Sequence, residues 1–346
     1  MIYLDYAATY PGIKYGVEKI NAMNPNANYA FNERDMLQEY EKELKDILKV
    51  DSGHILYFRC ATEAIEWLIN KIKTIQDNMH VGHSKYEHDS CCFGVETDLK
   101  DKNSVFNKNL DVYLHQWVNH ITGEVFNIES IKNKLPDKCF LLVDATAGFG
   151  KVSISYDLEK CADAIFMSGH KIGYPYLSFC WISDRLFDFL GGNKEDVRNQ
   201  YGLHHGSLSL ACINTLVTAC KNENAFSNNN QIQWYLHNGY LKTALNSCRI
   251  NYEIIAPSSR NYFICCLYLQ GVDAEALQSW LAEKEIFIGI GNSACSDSHN
   301  YRVLKAYDLD DKEAASTIRI SFGETTAQDI KDFVEALYEY IKTYVR

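Results

Sequence analysis

The segment MSGHKIGYPY at residues 167–176 places a lysine directly after a strand-like run. The apolar residues 164–167 are followed by Ser168 and Gly169, and His170 and Lys171 come next. In open α/β sheets, the residues that contact ligands lie just past the carboxyl ends of strands. Taken alone, the motif is better explained by an ordinary surface lysine, so its meaning depends on the other polar residues at strand ends.

Three further polar sites follow predicted strands. Thr62 comes after the apolar run at 55–58, Asp144 closes CFLLVD, and Gly206–Ser207 lie in HHGSLS. A helix N-terminus that follows a strand binds anions. Pyridoxal 5′-phosphate requires a phosphate-binding site, a carboxylate that keeps its pyridine nitrogen protonated and an amine that forms a Schiff base. The set therefore predicts a site for this cofactor.

Each candidate residue also has a simpler structural explanation. Asp144 could cap a turn, and His88 in KYEHDS could be a loop histidine. Arg319 could pair with a structural acid as readily as with a substrate. Cys295 could be a core thiol, which is the usual role of a free cysteine. Only the combination of these residues and their order in the chain favours a functional site over these structural roles.

Apolar periodicity predicts an α/β protein around these residues. Residues 35–50 form an amphipathic helix pattern, with an apolar face of Leu37, Tyr40, Leu44, Ile47 and Leu48. The helix predicted after Cys60 has an apolar face of Ala61, Ala64, Ile65, Leu68, Ile69 and Ile72. Because the apolar runs at 139–143, 164–167 and 177–182 do not alternate, they are typical of strands covered on both faces, as in a mostly parallel sheet.

The C-terminal part of the chain predicts a smaller α+β domain. The Asn-rich stretch NENAFSNNNQ is interpreted as a connector before it, and Thr325–Gln328 as a capping box that opens the last helix. The predicted domains are 15–235, which binds the cofactor, and 1–14 with 236–346, which carries the Cys295 loop. The predicted strands of the smaller domain are 263–269, 286–290 and 318–322, and its helices are 273–284 and 326–344.

Charge and composition exclude several classes of protein. The formal net charge of -11, without a basic cluster, argues against a nucleic-acid partner. No basic leader segment and no apolar run near the roughly 20 residues of a membrane span is present, so we expect a cytoplasmic protein without a membrane partner. The twelve cysteines are scattered and lack zinc-site spacing, which favours reduced core thiols and no bound metal.

Motifs run through nearly the whole chain in a characteristic order. They are YLDYAAT at the N-terminus, NPNANY at 24–29, CATEA at 60–64, EH at 87–88, VDATAGFGK at 143–151, SGHKIGYP at 168–175, HHGS at 204–207, GIGNSACS at 289–296 and IRISFGETT at 318–326. With these motifs the chain resembles the cysteine desulfurases of the class V aminotransferase family. The resemblance implies the fold-type-I architecture of pyridoxal-phosphate-dependent transferases, with a mostly parallel seven-stranded sheet in the large domain and a small α+β domain.

The resemblance also implies roles for individual residues. Lys171 would form the Schiff base and move the α-proton, and Cys295 would receive the sulfur of L-cysteine as a persulfide while alanine leaves. A sulfur-acceptor protein would then take the sulfur onward, for example in iron–sulfur assembly. The remaining roles are Asp144 at the pyridine nitrogen, His88 on the ring, Ala61, Thr62, Ser168 and His170 at the phosphate, Ser207 at the phosphate from the second subunit of a homodimer, and Arg319 at the substrate carboxylate.

The sequence departs from the family pattern around the cofactor. Ala147 stands where a glutamine usually contacts the phenolic oxygen, and His120 or Asn119 could replace that donor. His204 stands where an arginine is common, and Cys60 replaces a glycine. Two alternatives to a desulfurase therefore remain: another class V enzyme, such as a selenocysteine or cysteine-sulfinate lyase, or a non-catalytic scaffold paralogue.

Overall fold

The computed structural model describes residues 1–10, 29–97, 109–153, 158–206, 208–255, 260–291 and 301–345, without the side chains of 29–33, 97, 158 and 224–229. The chain divides into two compact units. The small unit contains Met1–Pro11, Val118–Phe126 and Ser227–Arg346, and the large unit contains Gly12–Trp117 and Asn127–Phe226. The segment Val118–Phe126, which the sequence analysis placed in the large domain, belongs to the small unit.

The described residues form twelve strands and ten α-helices. The strands are β1 (Ile2–Leu4), β2 (His54–Phe58), β3 (Val81–Ser84), β4 (Val95–Thr97), β5 (Val112–Gln116), β6 (Phe140–Asp144), β7 (Ala164–Met167), β8 (Ser178–Ile182), β9 (Glu253–Ile254), β10 (Ile264–Tyr268), β11 (Ile286–Ile290) and β12 (Thr317–Ser321). The helices are α1 (Tyr29–Leu48), α2 (Ala61–Ile75), α3 (Ile128–Lys132), α4 (Leu158–Cys161), α5 (Asp184–Leu190), α6 (Leu210–Ser247), α7 (Ala274–Glu283), α8 (Arg302–Lys305), α9 (Asp311–Ala315) and α10 (Ala327–Tyr344).

The large unit is built on a seven-stranded sheet in the order β2-β8-β7-β6-β5-β3-β4. The pairs from β7 to β4 are parallel, whereas β8 runs antiparallel to both β7 and β2. Strands β7 and β8 are buried along their whole length, as their unalternating apolar runs predicted. The carboxyl ends of β6 and β7 therefore meet at one edge of the sheet.

Helix α2 packs the face that its periodicity predicted. Its buried residues are Ala61, Ala64, Ile65, Leu68, Ile69 and Ile72. The predicted apolar face of α1 is buried as well: Leu37 is 3% exposed and Leu44 is 0% exposed. The spacing of three and four residues fixes which side of each helix meets the core.

The small unit has a five-stranded sheet in the order β1-β11-β12-β10-β9. Strand β1 pairs in parallel with β11, and β12 pairs antiparallel with both β10 and β11. Helix α10 covers the core with Phe333 and Leu337, which are fully buried. Its capping box uses Thr326 and Asp329, one residue later than predicted.

The expected connector in the Asn-rich stretch was wrong, because α6 continues through it from Leu210 to Ser247. Asparagine is a weak helix former, but extending an existing helix costs much less than starting one. Within the part of the chain that the structure describes, neither α6 nor any other helix is long and apolar enough to cross a membrane.

Candidate active site

Asp144 lies at the carboxyl end of β6, inside the seven-stranded sheet. Its register partners are Phe166 on β7 and Gln116 on β5. Carboxylate oxygen Oδ1 accepts the N–H of Thr146 at 2.9 Å, and Oδ2 accepts from the Cys91 thiol at 3.7 Å. The carboxylate is thus held from two sides at a strand end, where α/β sheets bind their ligands.

Cys91 is a fully buried thiol that serves as a hydrogen-bond donor. Burial raises its pKa well above the usual value, and the charges of Asp144 and Glu87 raise it further. The thiol therefore keeps its proton at neutral pH and is unsuited to nucleophilic attack. Sequence reasoning missed this residue, because its spacing does not distinguish it from the other cysteines.

Lys171 lies on a tight turn, Gly169–Ile172, that follows β7 directly. Its backbone N–H donates to the carbonyl of Ser168 at 3.2 Å. Its own carbonyl accepts from Nζ of Lys151 at 3.3 Å, and that nitrogen also donates to the carbonyl of Phe149 at 3.3 Å. Lys151 is 7% exposed, so a second, buried lysine holds the turn that carries Lys171.

Gly169 allows this turn to fold back on itself. A Cβ atom at this position would lie 2.1 Å from the carbonyl oxygen of Leu177 and 2.4 Å from that of Tyr174. Contacts that close to backbone atoms are sterically forbidden, so the turn requires glycine.

His170 and Ser168 form a neutral polar pair beside Lys171. Oγ of Ser168 and Nδ1 of His170 are 2.8 Å apart, and Ser168 is 1% exposed. Burial lowers the pKa of His170 to about 4, and the positive charges of Lys171 and Lys151 act in the same direction. The imidazole is therefore neutral at pH 7 and offers hydrogen bonds without adding charge.

His88 is held by the short helical turn that it caps, Asp89–Cys91. Its Nδ1 accepts the N–H of Ser90 at 3.2 Å, and its carbonyl accepts the N–H of Cys91 at 2.8 Å. Because Nδ1 is an acceptor, the proton of the neutral ring is on Nε2. The same turn thus positions His88 and brings Cys91 to Asp144.

The N-terminus of α2 has the features of an anion site. The N-cap residue, Cys60, makes no side-chain hydrogen bond to the first turn, in which Ala61 is buried and Thr62 is exposed. The carboxylate of Glu63 accepts the N–H of Arg59 at 2.7 Å, outside that turn. N–H groups that no side chain caps, together with the helix dipole, favour a phosphate here.

Arg319, at 2% exposure, lies on β12 of the small unit. Its Nη2 donates to Oδ1 of Asp5 at 2.8 Å, and its Nη1 donates to the carbonyl of His120 at 2.9 Å. The predicted substrate arginine is therefore in an ion pair with an acid of its own chain. Sequence reasoning included Asp5 in a motif but did not pair it with Arg319.

Asn119 is fully buried in the turn that precedes Gly123. Its side-chain Oδ1 accepts the N–H groups of Ile121 and Thr122 at 2.9 and 2.8 Å. The amide oxygen thus stabilises its own turn. The remaining predicted site residues, Cys295 and Ser207, lie outside the described residues.

Residues 93–333, more than half of the chain, match the family model described as aminotransferase class-V. The chain belongs to the aminotransferase class-V family. It is 25% identical to the cysteine desulfurase IscS of Buchnera aphidicola subsp. Schizaphis graminum (strain Sg), over 98% of this chain and 92% of that protein. It is 24% identical to the cysteine desulfurase IscS of Neisseria gonorrhoeae (strain ATCC 700825 / FA 1090), over 97% and 91% of the two chains.

Solved structures confirm the fold prediction for this class V protein. A NifS-like protein superimposes with a TM-score of 0.80 at 18% identity, covering 99% of each chain. The NifS-like protein from Rickettsia africae ESF-5 gives 0.79 at 20% identity, covering 99% of this chain and 100% of that one. The architecture is that of fold-type-I pyridoxal-phosphate enzymes, as predicted.

The large unit of the class V protein brings together five of the predicted cofactor residues. Asp144 contacts the turn that His88 caps, and Ser168, His170 and Lys171 follow the neighbouring strand β7. The small unit holds Arg319, His120 and Asn119. Only the geometry identified Cys91, Lys151 and Asp5 as partners of these groups.

Proposed function

We propose that the protein is a pyridoxal-phosphate-dependent cysteine desulfurase that converts L-cysteine to L-alanine. The observation that carries the proposal is the placement of Asp144 and Lys171 after adjacent parallel strands in a chain of this family. The relatives named cysteine desulfurase, which match 97–98% of the chain, support the choice of substrate.

The residues present fit the cofactor. Asp144 offers a carboxylate held in place by an N–H and a thiol, and Lys171 offers an amine on a rigid turn. The first turn of α2 has no side-chain cap, so its N–H groups suit a phosphate. The hydroxyl of Thr146 is buried and has no hydrogen-bond partner among the described residues, so it is available to a ligand beside Asp144.

Each residue has a defined task in the proposed reaction. When bound, pyridoxal phosphate supplies an electron sink for the carbon next to the substrate nitrogen. Asp144 would hold the ring nitrogen in its protonated form, and His88 would cover the ring face. Nζ of Lys171 would take the proton from the substrate Cα and return it, because a lysine that has lost its proton is a general base.

Sulfur transfer would use Cys295, and Arg319 would bind the substrate carboxylate. The Cys295 thiolate would attack the substrate sulfur, so that an S–S bond forms, the substrate Cβ–S bond breaks and Cβ takes up a proton to give alanine. A sulfur-acceptor protein would remove the persulfide sulfur. Ser207 would complete the phosphate site of the other subunit in a homodimer.

The decisive experiment incubates the protein loaded with pyridoxal phosphate with L-cysteine and a thiol reductant. We expect alanine and sulfide in equal amounts. Cys295→Ala should abolish sulfide release, whereas Cys248→Ala, which alters a partly buried thiol at the end of α6, should not.

Other outcomes separate the competing functions. If Cys295→Ala keeps full activity with cysteine sulfinate or selenocysteine while cysteine itself is not turned over, the protein is a different class V lyase. If it binds no pyridoxal phosphate at all, the scaffold alternative is correct and the desulfurase proposal is wrong.

A further inference from the structure

The guanidinium of Arg319 is buried but incompletely satisfied. Its side chain is 3% exposed, and its two terminal nitrogens donate to Asp5 and to the carbonyl of His120. The third nitrogen, Nε, is buried and has no hydrogen-bond partner among the described residues. A buried donor without a partner costs free energy, so this arrangement has a donor left for a further acceptor.

Gly289 provides the space in which Asp5 and Arg319 meet. It is the register partner of Arg319 between β11 and β12. A Cβ atom on Gly289 would lie 2.7 Å from Oδ1 of Asp5, 2.8 Å from Nε and 3.0 Å from Nη2 of Arg319. The Nε–Nη2 edge of the guanidinium therefore lies against Gly289, with the Asp5 carboxylate beside it.

Asp5 is held in place by its own backbone, independently of Arg319. It forms a parallel bridge with Ser321, and its carbonyl accepts the N–H groups of Ala8 and Thr9 at 3.0 and 3.4 Å. Two residues further on, the N–H of Ala7 donates to Oγ of Ser321 at 2.8 Å. The backbone that carries the carboxylate is thus held within the small unit.

We propose that Asp5 is a positioning residue. In the substrate-free protein it occupies the side of the Arg319 guanidinium that binds carboxylates, and the substrate α-carboxylate competes with it for that guanidinium. The inference rests on the proposed function, in which Arg319 binds that carboxylate. An arginine binds a carboxylate best through two parallel N–H groups. Here Nη2 already donates to Asp5, so the substrate must share or displace this partner.

The competition has a direct consequence for substrate affinity. Asp5 neutralises the charge of Arg319 and, as a like charge, repels an incoming carboxylate. It also keeps the buried guanidinium paired until the substrate arrives, because an unpaired buried charge destabilises the fold. Asp5 therefore weakens substrate binding while it keeps the Arg319 side chain in the position that binds the substrate.

The test compares the wild type with Asp5→Asn, both loaded with pyridoxal phosphate. Asparagine keeps an oxygen acceptor for Nη2 but removes the competing charge. We expect the KM for L-cysteine and the inhibition constant of L-alanine to fall about tenfold, the scale of one charge-assisted hydrogen bond. The affinity for cysteamine, which lacks a carboxylate, should not change. The matched control Glu324→Gln removes another acid that binds the N-terminal segment, through the hydroxyl of Tyr10, and should leave all three constants unchanged.

A measurement on the wild type covers the case in which Asp5→Asn does not fold. In crystals of the wild type, bound L-alanine should lengthen the 2.8 Å contact between Nη2 of Arg319 and Oδ1 of Asp5, whereas cysteamine should leave it intact. An unchanged or higher KM in a folded Asp5→Asn protein, or an Asp5–Arg319 contact that stays unchanged with L-alanine bound, overturns the role of Asp5. A wild type that makes no alanine from cysteine refutes the proposed function instead, and the crystals with L-alanine still report on Asp5.

Discussion

Lys171 lies on a turn in which both its backbone N–H and its carbonyl are hydrogen-bonded. Changing Lys171 to Ala should remove the visible absorption band of bound pyridoxal phosphate, because Lys171 is the only lysine within Gly169–Ile172 and the neighbouring amine, Nζ of Lys151, donates to the carbonyl groups of Phe149 and Lys171. The control Lys194→Ala, which alters a lysine whose side chain is 63% exposed, should retain the band. Absorption spectra after dialysis against free cofactor measure the difference. A normal band in Lys171→Ala would contradict the assignment.

His170 makes the cofactor-free protein sensitive to acid. Its pKa is about 4 in the folded state and about 6.5 in an unfolded chain. As the pH falls below about 6.5, the unfolded state binds a proton that the folded state does not, so stability decreases until the pH reaches the folded pKa. By this linkage the loss is at most roughly 3 kcal/mol between pH 7 and pH 4.

The variant His170→Gln isolates that contribution. Its urea midpoint should fall less than that of the wild type between pH 7 and pH 4.5. The matched variant His205→Gln, which changes an exposed imidazole, should follow the wild type. Identical pH profiles for His170→Gln and the wild type would show that His170 is not buried in its neutral form.

The turn Gly169–Ile172 should not tolerate a side chain at Gly169. Gly169→Ala should lower the free energy of unfolding by about 2 kcal/mol or more, because the new Cβ overlaps two carbonyl oxygens. It should also weaken cofactor binding, since Lys171 lies on the same turn. Chemical denaturation and a cofactor titration measure the two effects.

Gly239 in α6 provides the matched control. Beyond the backbone of its own helical turns and its chain neighbours, a Cβ at this position would meet no atom within 4 Å. Gly239→Ala should therefore raise stability by about 0.5–1 kcal/mol, the usual advantage of alanine inside a helix. If the two alanine variants behave alike, the steric argument for Gly169 is wrong.

Sequence patterns predicted the elements whose packing they determine. The buried face of α2 was predicted residue by residue, because the residues that a helix buries are apolar and recur every three or four positions in the sequence. The strand ends at Asp144 and Lys171 were predicted because polar residues interrupt apolar runs there. The helix through the Asn-rich stretch was not predicted, because helix continuation depends on the neighbouring turns rather than on local propensity. The Asp5–Arg319 pair joins residues 314 positions apart, and no local pattern encodes such a contact.

The whole molecule should respond to the cofactor mainly through the large unit. At 100 times its dissociation constant, a ligand that binds only the folded state adds about 2.7 kcal/mol of stability. Pyridoxal phosphate should therefore raise the thermal midpoint and slow amide exchange around residues 61–64, 144–146 and 168–171. Thermal melts and exchange mass spectrometry test this. If the cofactor does not slow amide exchange in any of these three segments, it binds elsewhere.

The parallel pairing of β1 with β11 has a consequence for biosynthesis. Ile2 leaves the ribosome 284 residues before its partner Ile286. At about 5–20 residues per second, that interval is on the order of tens of seconds. During this interval the β1 segment has no partner strand, and an unpaired apolar segment of this kind is prone to aggregation unless a chaperone covers it.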